Sequence, residues 1–121
     1  MKLLIVDDSS IIRKAITKYL KEYGLDLVGE AGDGVQALEQ MRLHQPDLVT
    51  LDITMPEMDG LTCLNEMLKI DPEIKVIIIS ALSDQATALK ALKAGAKGFL
   101  GKPFTEDKIK EAFDRVLKGG S

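Results

Sequence analysis

The chain has 121 residues, 45% of them hydrophobic, which suits one compact core and leaves too little sequence for two. Lysine and arginine number 16 against 19 acids, a net charge of -3 with 29% charged residues, which excludes a disordered polyanion and a nucleic-acid-coating polycation. No apolar run approaches the roughly 20 residues that span a bilayer, and Asp7-Asp8 arrive too early for a secretory signal, so the cytoplasm is the expected location.

Taken in chain order, Leu3 to Val6 reads as a first strand. It is followed by a one-sided helix carried by Ile12, Ala15, Ile16, Tyr19, Leu20 and Tyr23 and closed by Gly24. Leu25 to Gly29 is a second strand, and Leu38 and Met41 mark a helix over 34–44 that ends near Pro46. Leu48 to Leu51 is a third strand, with Leu61, Leu64 and Leu68 on a helix over 60–70 that stops at Asp71-Pro72. Val76 to Ile79 is a fourth strand, with Leu89 and Leu92 on a helix over 85–94 that stops at Gly95. Phe99-Leu100 is a fifth strand, and a last helix carries Ile109, Ala112, Phe113, Val116 and Leu117 behind Thr105 as its N-cap. The order is (βα)5. Strict alternation implies a parallel sheet with helices on both faces, which explains strands that are apolar throughout. The domain is expected to span 1–118, with 119–121 a flexible tail, an engineered scar or the start of a linker.

In an open parallel sheet, functional groups collect beyond the carboxyl ends of the strands. The first strand ends in Asp7-Asp8, the third in Asp52 and the fourth in Ser80, and Lys102-Pro103 follows the fifth. Each alone has an ordinary structural explanation. Together they do not, because three carboxylates brought near one another repel and raise each other's pKa unless a cation offsets them. All-oxygen donors with no histidine or cysteine nearby suit Mg²⁺. One divalent ion plus the Lys102 ammonium neutralises the trio, and the metal and Lys102 together would attract an anionic phosphoryl group. Cys63 and the methionines Met41, Met55, Met58 and Met67 read as packing, and His44, at the end of the second helix, has no catalytic role.

These residues and their contexts resemble the receiver domain of two-component response regulators, above all single-domain chemotaxis regulators of the CheY kind. The segments that carry the likeness are Leu4-Ile5-Val6-Asp7-Asp8-Ser9, the stretch from Asp47 through Asp52 to Asp59-Gly60, Ile79-Ser80-Ala81, and the stretch from Ala94 to Phe104. The resemblance implies the doubly wound, flavodoxin-like three-layer sandwich with strand order 2-1-3-4-5. It implies that Asp52 accepts a phosphoryl group from a histidine kinase. It also implies that Mg²⁺, or Mn²⁺ in its place, is held by Asp8, Asp52 and the backbone carbonyl of Thr54, with Asp7 acting directly or through a metal-bound water. Lys102 would contact the phosphoryl oxygens, its bond to Pro103 being usually cis in the family.

By the same resemblance, Ser80 is the switch hydroxyl and Phe99 the aromatic switch. Phe99 lacks the hydroxyl of the common tyrosine, so a buried rotamer is expected already in the resting protein. Thr54 and Leu82 fall at the positions that tune dephosphorylation. Leu82 cannot orient an attacking water, which implies slower decay than in a Leu82→Glu variant.

Residues 1–84 hold 8 basic and 15 acidic side chains, whereas residues 85–121 hold 8 and 4. The basic surface with Lys90, Lys93, Lys97 and Phe99 is expected to be the output face and to favour an acidic protein segment. The partners implied are the kinase, a downstream protein such as the flagellar motor switch, and a phosphatase. Nucleic acid and membrane are not expected, and the state expected is a monomer or a weak phosphorylation-dependent dimer. The expected role is a phosphorylation-controlled switch, not an enzyme that turns over a substrate, with chemotaxis as the pathway. A receiver excised from a transcription factor or a methylesterase is the alternative. A phosphohydrolase of the haloacid dehalogenase kind wants a second acid where Thr54 stands. A flavin protein of this fold would find Asp7-Asp8 repelling its phosphate.

Overall fold

A computed structural model describes residues 1–53, 59–81 and 85–119. Five strands alternate with five helices: β1 (Lys2–Val6), α1 (Ser10–Tyr19), β2 (Asp26–Ala31), α2 (Gly34–His44), β3 (Leu48–Asp52), α3 (Gly60–Ile70), β4 (Lys75–Ala81), α4 (Gln85–Ala94), β5 (Gly98–Lys102) and α5 (Glu106–Gly119). The expected elements are all present. The helix over 34–44 and the two that follow keep their expected bounds, while β2 and β5 run further than their apolar residues alone suggested.

The strands form one parallel sheet in the order β2-β1-β3-β4-β5. Branched aliphatic residues fill β1, β3 and β4 because both faces of these strands are covered. On one face, Leu3, Ile5, Leu48, Ile77 and Ile79 pack beneath Ile16 of α1, Leu20 just beyond it, and Ile109, Phe113 and Val116 of α5. On the other, Leu4, Val6, Val49, Leu51, Val76 and Ile78 meet Met41 of α2, Cys63, Leu64 and Met67 of α3, and Ala91 of α4. Among the described residues no helix is long and apolar enough to cross a membrane.

Local chemistry sets the helix starts. Ser9 Oγ accepts from the Ile12 amide at 3.3 Å, Asp33 from Gln36 at 2.8 Å, Asp59 from Thr62 at 2.9 Å and Thr105 from Lys108 at 3.2 Å. The first helix ends earlier than its apolar spacing suggested: α1 stops at Tyr19, and Lys21–Tyr23 forms a 3₁₀ turn closed by Gly24 at φ 63°. Tyr23 is drawn toward α5, where its hydroxyl donates to Asp114 Oδ1 at 2.8 Å and its ring leans on Phe113.

Because β1 and β3 are neighbours while their following helices cover opposite faces, a crevice opens where both strands end. Gly60, the first residue of α3, lies against the residue that follows β3. A Cβ there would lie 2.6 Å from Ile53 Cβ, the first residue beyond β3. Gly60→Ala is therefore expected to destabilise the fold by about 1–3 kcal/mol in urea unfolding; an unchanged midpoint would show that the contact relaxes freely.

Candidate functional site

The crevice gathers the charged ends of three strands. Asp7 and Asp52 are buried, Asp8 is exposed, and one carboxylate oxygen from each lies within 4.8 Å of the others. Asp7 is fixed by its surroundings. Its amide donates to Ala31 O at 2.9 Å, and its Oδ1 accepts from the Ser9 amide at 2.9 Å. The β5 end brings Lys102 across β4 to the same place: its Nζ donates to Asp52 Oδ2 at 3.2 Å and lies 3.0 Å from Asp7 Oδ2. The second contact is an ion pair, and Asp7 Oδ2 is buried with Lys102 as its partner. The Lys102-Pro103 peptide is cis.

The electrostatics follow the geometry. Burial pushes the Asp7 carboxyl above its ordinary value; the Ser9 amide and the Lys102 ammonium pull it down, and the Asp52 charge pushes it up again. Burial pulls Lys102 down, but the carboxylates of Asp7 and Asp52 outweigh it and leave the ammonium above its ordinary value. Lys102 thus stays charged and offsets part of a cluster that carries three acids.

Adjacent ligand oxygens of an octahedral ion with bonds of about 2.0–2.1 Å are about 2.9 Å apart and opposite ones about 4.1 Å. A trio already within 4.8 Å needs only side-chain adjustment to share one Mg²⁺, and it offers only hard oxygen donors. Asp7 Oδ2 is buried, and the ion pair with Lys102 offsets only part of the charge of the trio. Asp7, Asp8 and Asp52 therefore fit the ion; Thr54, expected to add a backbone carbonyl, lies outside the described residues.

The other expected site residues are less closely gathered. Ser80 is fully buried and its hydroxyl donates to Ala81 O at 3.0 Å, along its own strand. Phe99 is half-buried and packs against the core beneath α2, α3 and α4. Lys90, Lys93 and Lys97 are exposed on and just after α4, away from the acidic trio in sequence and sheet position. Leu82, Met55 and Met58 lie outside the described residues, whereas Met41 and Met67 are core. Cys63 is buried, with its thiol pushed up to about 12 by burial first and by Asp59 and Asp33 next, so it behaves as packing. The carbonyl of His44 is capped by Lys2 Nζ at 3.3 Å.

One contact had no counterpart in the sequence reading. Arg13 of α1 donates to Asp7 O at 2.5 Å and pairs with Glu30 of β2 at 3.0 Å. An arginine on the polar side of a one-sided helix looks like a solvated residue, and only strand register brings Glu30 beside it.

Residues 3–114 match the response regulator receiver domain. The chain belongs to this family. It is 46% identical over 116 residues to the chemotaxis protein CheY of Bacillus subtilis, covering 96% of this chain and 97% of that protein. It is 43% identical to the CheY of Thermotoga maritima, covering 97% and 98%. A chain in the crystal structure of a CheX-CheY-BeF3-Mg²⁺ complex from Borrelia burgdorferi superposes with a TM-score of 0.91 at 38% identity, covering 97% of this chain and 89% of that one. This is a CheY-like receiver domain with the flavodoxin-like strand order, and a phosphorylation switch is the role that fits the family.

The raised Asp7 carboxyl carries a stability consequence. In the unfolded chain it titrates lower, so ionised Asp7 costs folded-state stability at neutral pH, and that cost is relieved as pH falls through the raised folded value. In metal-free buffer at pH 7, Asp7→Asn should unfold at higher urea than the unsubstituted protein, and the gap should close as pH drops toward the ordinary carboxylate range. A lower midpoint for the variant would contradict this.

Proposed function

We propose that this receiver domain is a phosphorylation-controlled signalling switch in which Asp52 accepts the phosphoryl group of a kinase phosphohistidine. The observation that carries the reading is the Lys102 ammonium set between Asp7 and Asp52 at the carboxyl edge of the sheet. A carboxylate oxygen of Asp52 forms a bond to phosphorus as the phosphorus–nitrogen bond of the donor breaks, and the released imidazole takes its proton from solvent. Lys102 turns from the carboxylates to the incoming phosphoryl oxygens, so positive charge sits where negative charge arrives. Asp7, Asp8 and Asp52, with the carbonyl of Thr54, would hold Mg²⁺, or Mn²⁺ in its place. When bound, the ion supplies the charge neutralisation that brings an anionic donor to an acidic pocket.

In this reading the chain handles its own phosphoryl group: it takes it up and loses it slowly, with Thr54 and Leu82 setting access of water. Ser80 and Phe99 carry the change to an output face that includes Lys90, Lys93 and Lys97. Relatives of single-domain length support a stand-alone regulator working in chemotaxis, and the cytoplasm is its proposed location. The kinase, a downstream protein such as the flagellar motor switch, and a phosphatase are the proposed partners. That a relative is found in complex with a second protein, CheX, supports the expectation of protein partners.

Incubation with acetyl phosphate and Mg²⁺ should add one phosphate-sized increment to the intact mass. Asp52→Asn should gain none, and Lys102→Ala should gain it about a hundredfold more slowly. Equal labelling of the Asp52→Asn protein would remove Asp52 as the acceptor.

A further inference from the structure

The backbone of Asp7 is held at its amide by β2 and at its carbonyl by Arg13 of α1, which itself pairs with β2. Its amide donates to Ala31 O at 2.9 Å. Its carbonyl accepts from Arg13 Nη1 at 2.5 Å, and Arg13 Nε is 3.0 Å from Oε1 of Glu30, the residue before Ala31. The path from Asp7 N to Ala31, along the chain to Glu30, across to Arg13 and back to Asp7 O is a closed ring. The arginine side chain is 22% exposed and that of Glu30 45%, so the ring is partly covered at its arginine and open to solvent at its glutamate.

The peptide group that carries Asp7 C=O also carries the Asp8 N–H, and this unit is planar. Aiming the carbonyl therefore aims the start of Asp8. Asp8 is the exposed member of the acidic trio and makes no side-chain hydrogen bond or ion pair with the described residues that would orient it. Guanidinium suits this task because its nitrogens point in different directions in one plane, so it can bond a carbonyl and a carboxylate at once; a single ammonium is a point charge on a flexible stem.

We propose that Arg13, braced by Glu30, is a positioning residue for the metal site: it fixes the Asp7–Asp8 peptide so that the Asp8 carboxylate converges with those of Asp7 and Asp52. The proposal rests on the magnesium reading above for its functional meaning, and on the closed ring for its structural content. Partners that orient metal ligands from behind are worth roughly 10–100-fold in metal affinity.

The test is calorimetric titration of the intact chain with Mg²⁺, paired with amide hydrogen exchange in EDTA. Arg13→Ala should bind Mg²⁺ at least about tenfold more weakly, Arg13→Lys should not restore the affinity, and Arg13→Ala combined with Glu30→Ala should be no worse than Arg13→Ala alone. In EDTA, the Asp8 and Ser9 amides should exchange faster in Arg13→Ala while those of Ile5 and Val6 do not. If Arg13→Ala does not fold, Glu30→Ala carries the same expectations in weaker form. Wild-type Mg²⁺ affinity in the arginine variant, or unchanged exchange at Asp8 and Ser9, overturns the proposal. Should the unsubstituted protein itself fail to bind Mg²⁺, the functional reading falls, and the EDTA exchange still decides whether Arg13 holds the peptide.

Discussion

Three carboxylates cannot be held together at the edge of a protein without something positive among them, and that constraint organises this molecule. Asp7 and Asp52 are buried with their oxygens turned toward each other and toward Asp8. Taking such charges out of water costs several kcal/mol per ion, more than a single partner returns unless its geometry is good. Lys102 is that partner, shared between two acids, and its one charge leaves the cluster short of neutrality. The remaining deficit is one that a divalent cation would offset.

The rest of the fold serves to bring these groups from distant parts of the chain to one place. Asp7 and Asp52 are 45 residues apart and Lys102 a further 50, yet each stands at or next to the end of a strand, and β1, β3, β4 and β5 lie side by side. The strands do this because they are apolar on both faces and each face is sealed by helices, α1 and α5 on one side and α2, α3 and α4 on the other. A sheet so buried has little freedom to slide, since a register slip would turn every side chain to the wrong layer. Rigidity of the apolar strands is thus what keeps an otherwise repulsive cluster assembled.

Much of this was legible in the residues. Val76 to Ile79 and Leu3 to Val6 could only be covered strands, the N-cap at Thr105 and the αL glycine at Gly24 sit where turn chemistry puts them, and the strand-end acids by themselves point to a cation site. The shortened first helix was not legible, because the pull on Tyr23 comes from Asp114 and Phe113, about ninety residues away. Nor was the Arg13–Glu30 brace. It depends on the register of β2 against β1, which shifts between Leu3 and Leu4. A bulge of that kind leaves no mark in a run such as Asp26-Leu27-Val28-Gly29, and it decides which face Glu30 occupies. The half-buried Phe99 is a third case: its strand was readable, but how deeply its ring sits depends on the packing under α4.

The account turns on the acidic trio acting as one site. Titration of the metal-free protein with Mg²⁺ in a calorimeter, alongside Asp8→Asn, tests this most directly, since Asp8 is exposed and its loss should leave the core intact. One ion per chain, with affinity falling at least about tenfold in the variant and unfolding in EDTA unchanged, is the predicted result. Equal Mg²⁺ affinity in both proteins would show that the three acids do not share a cation.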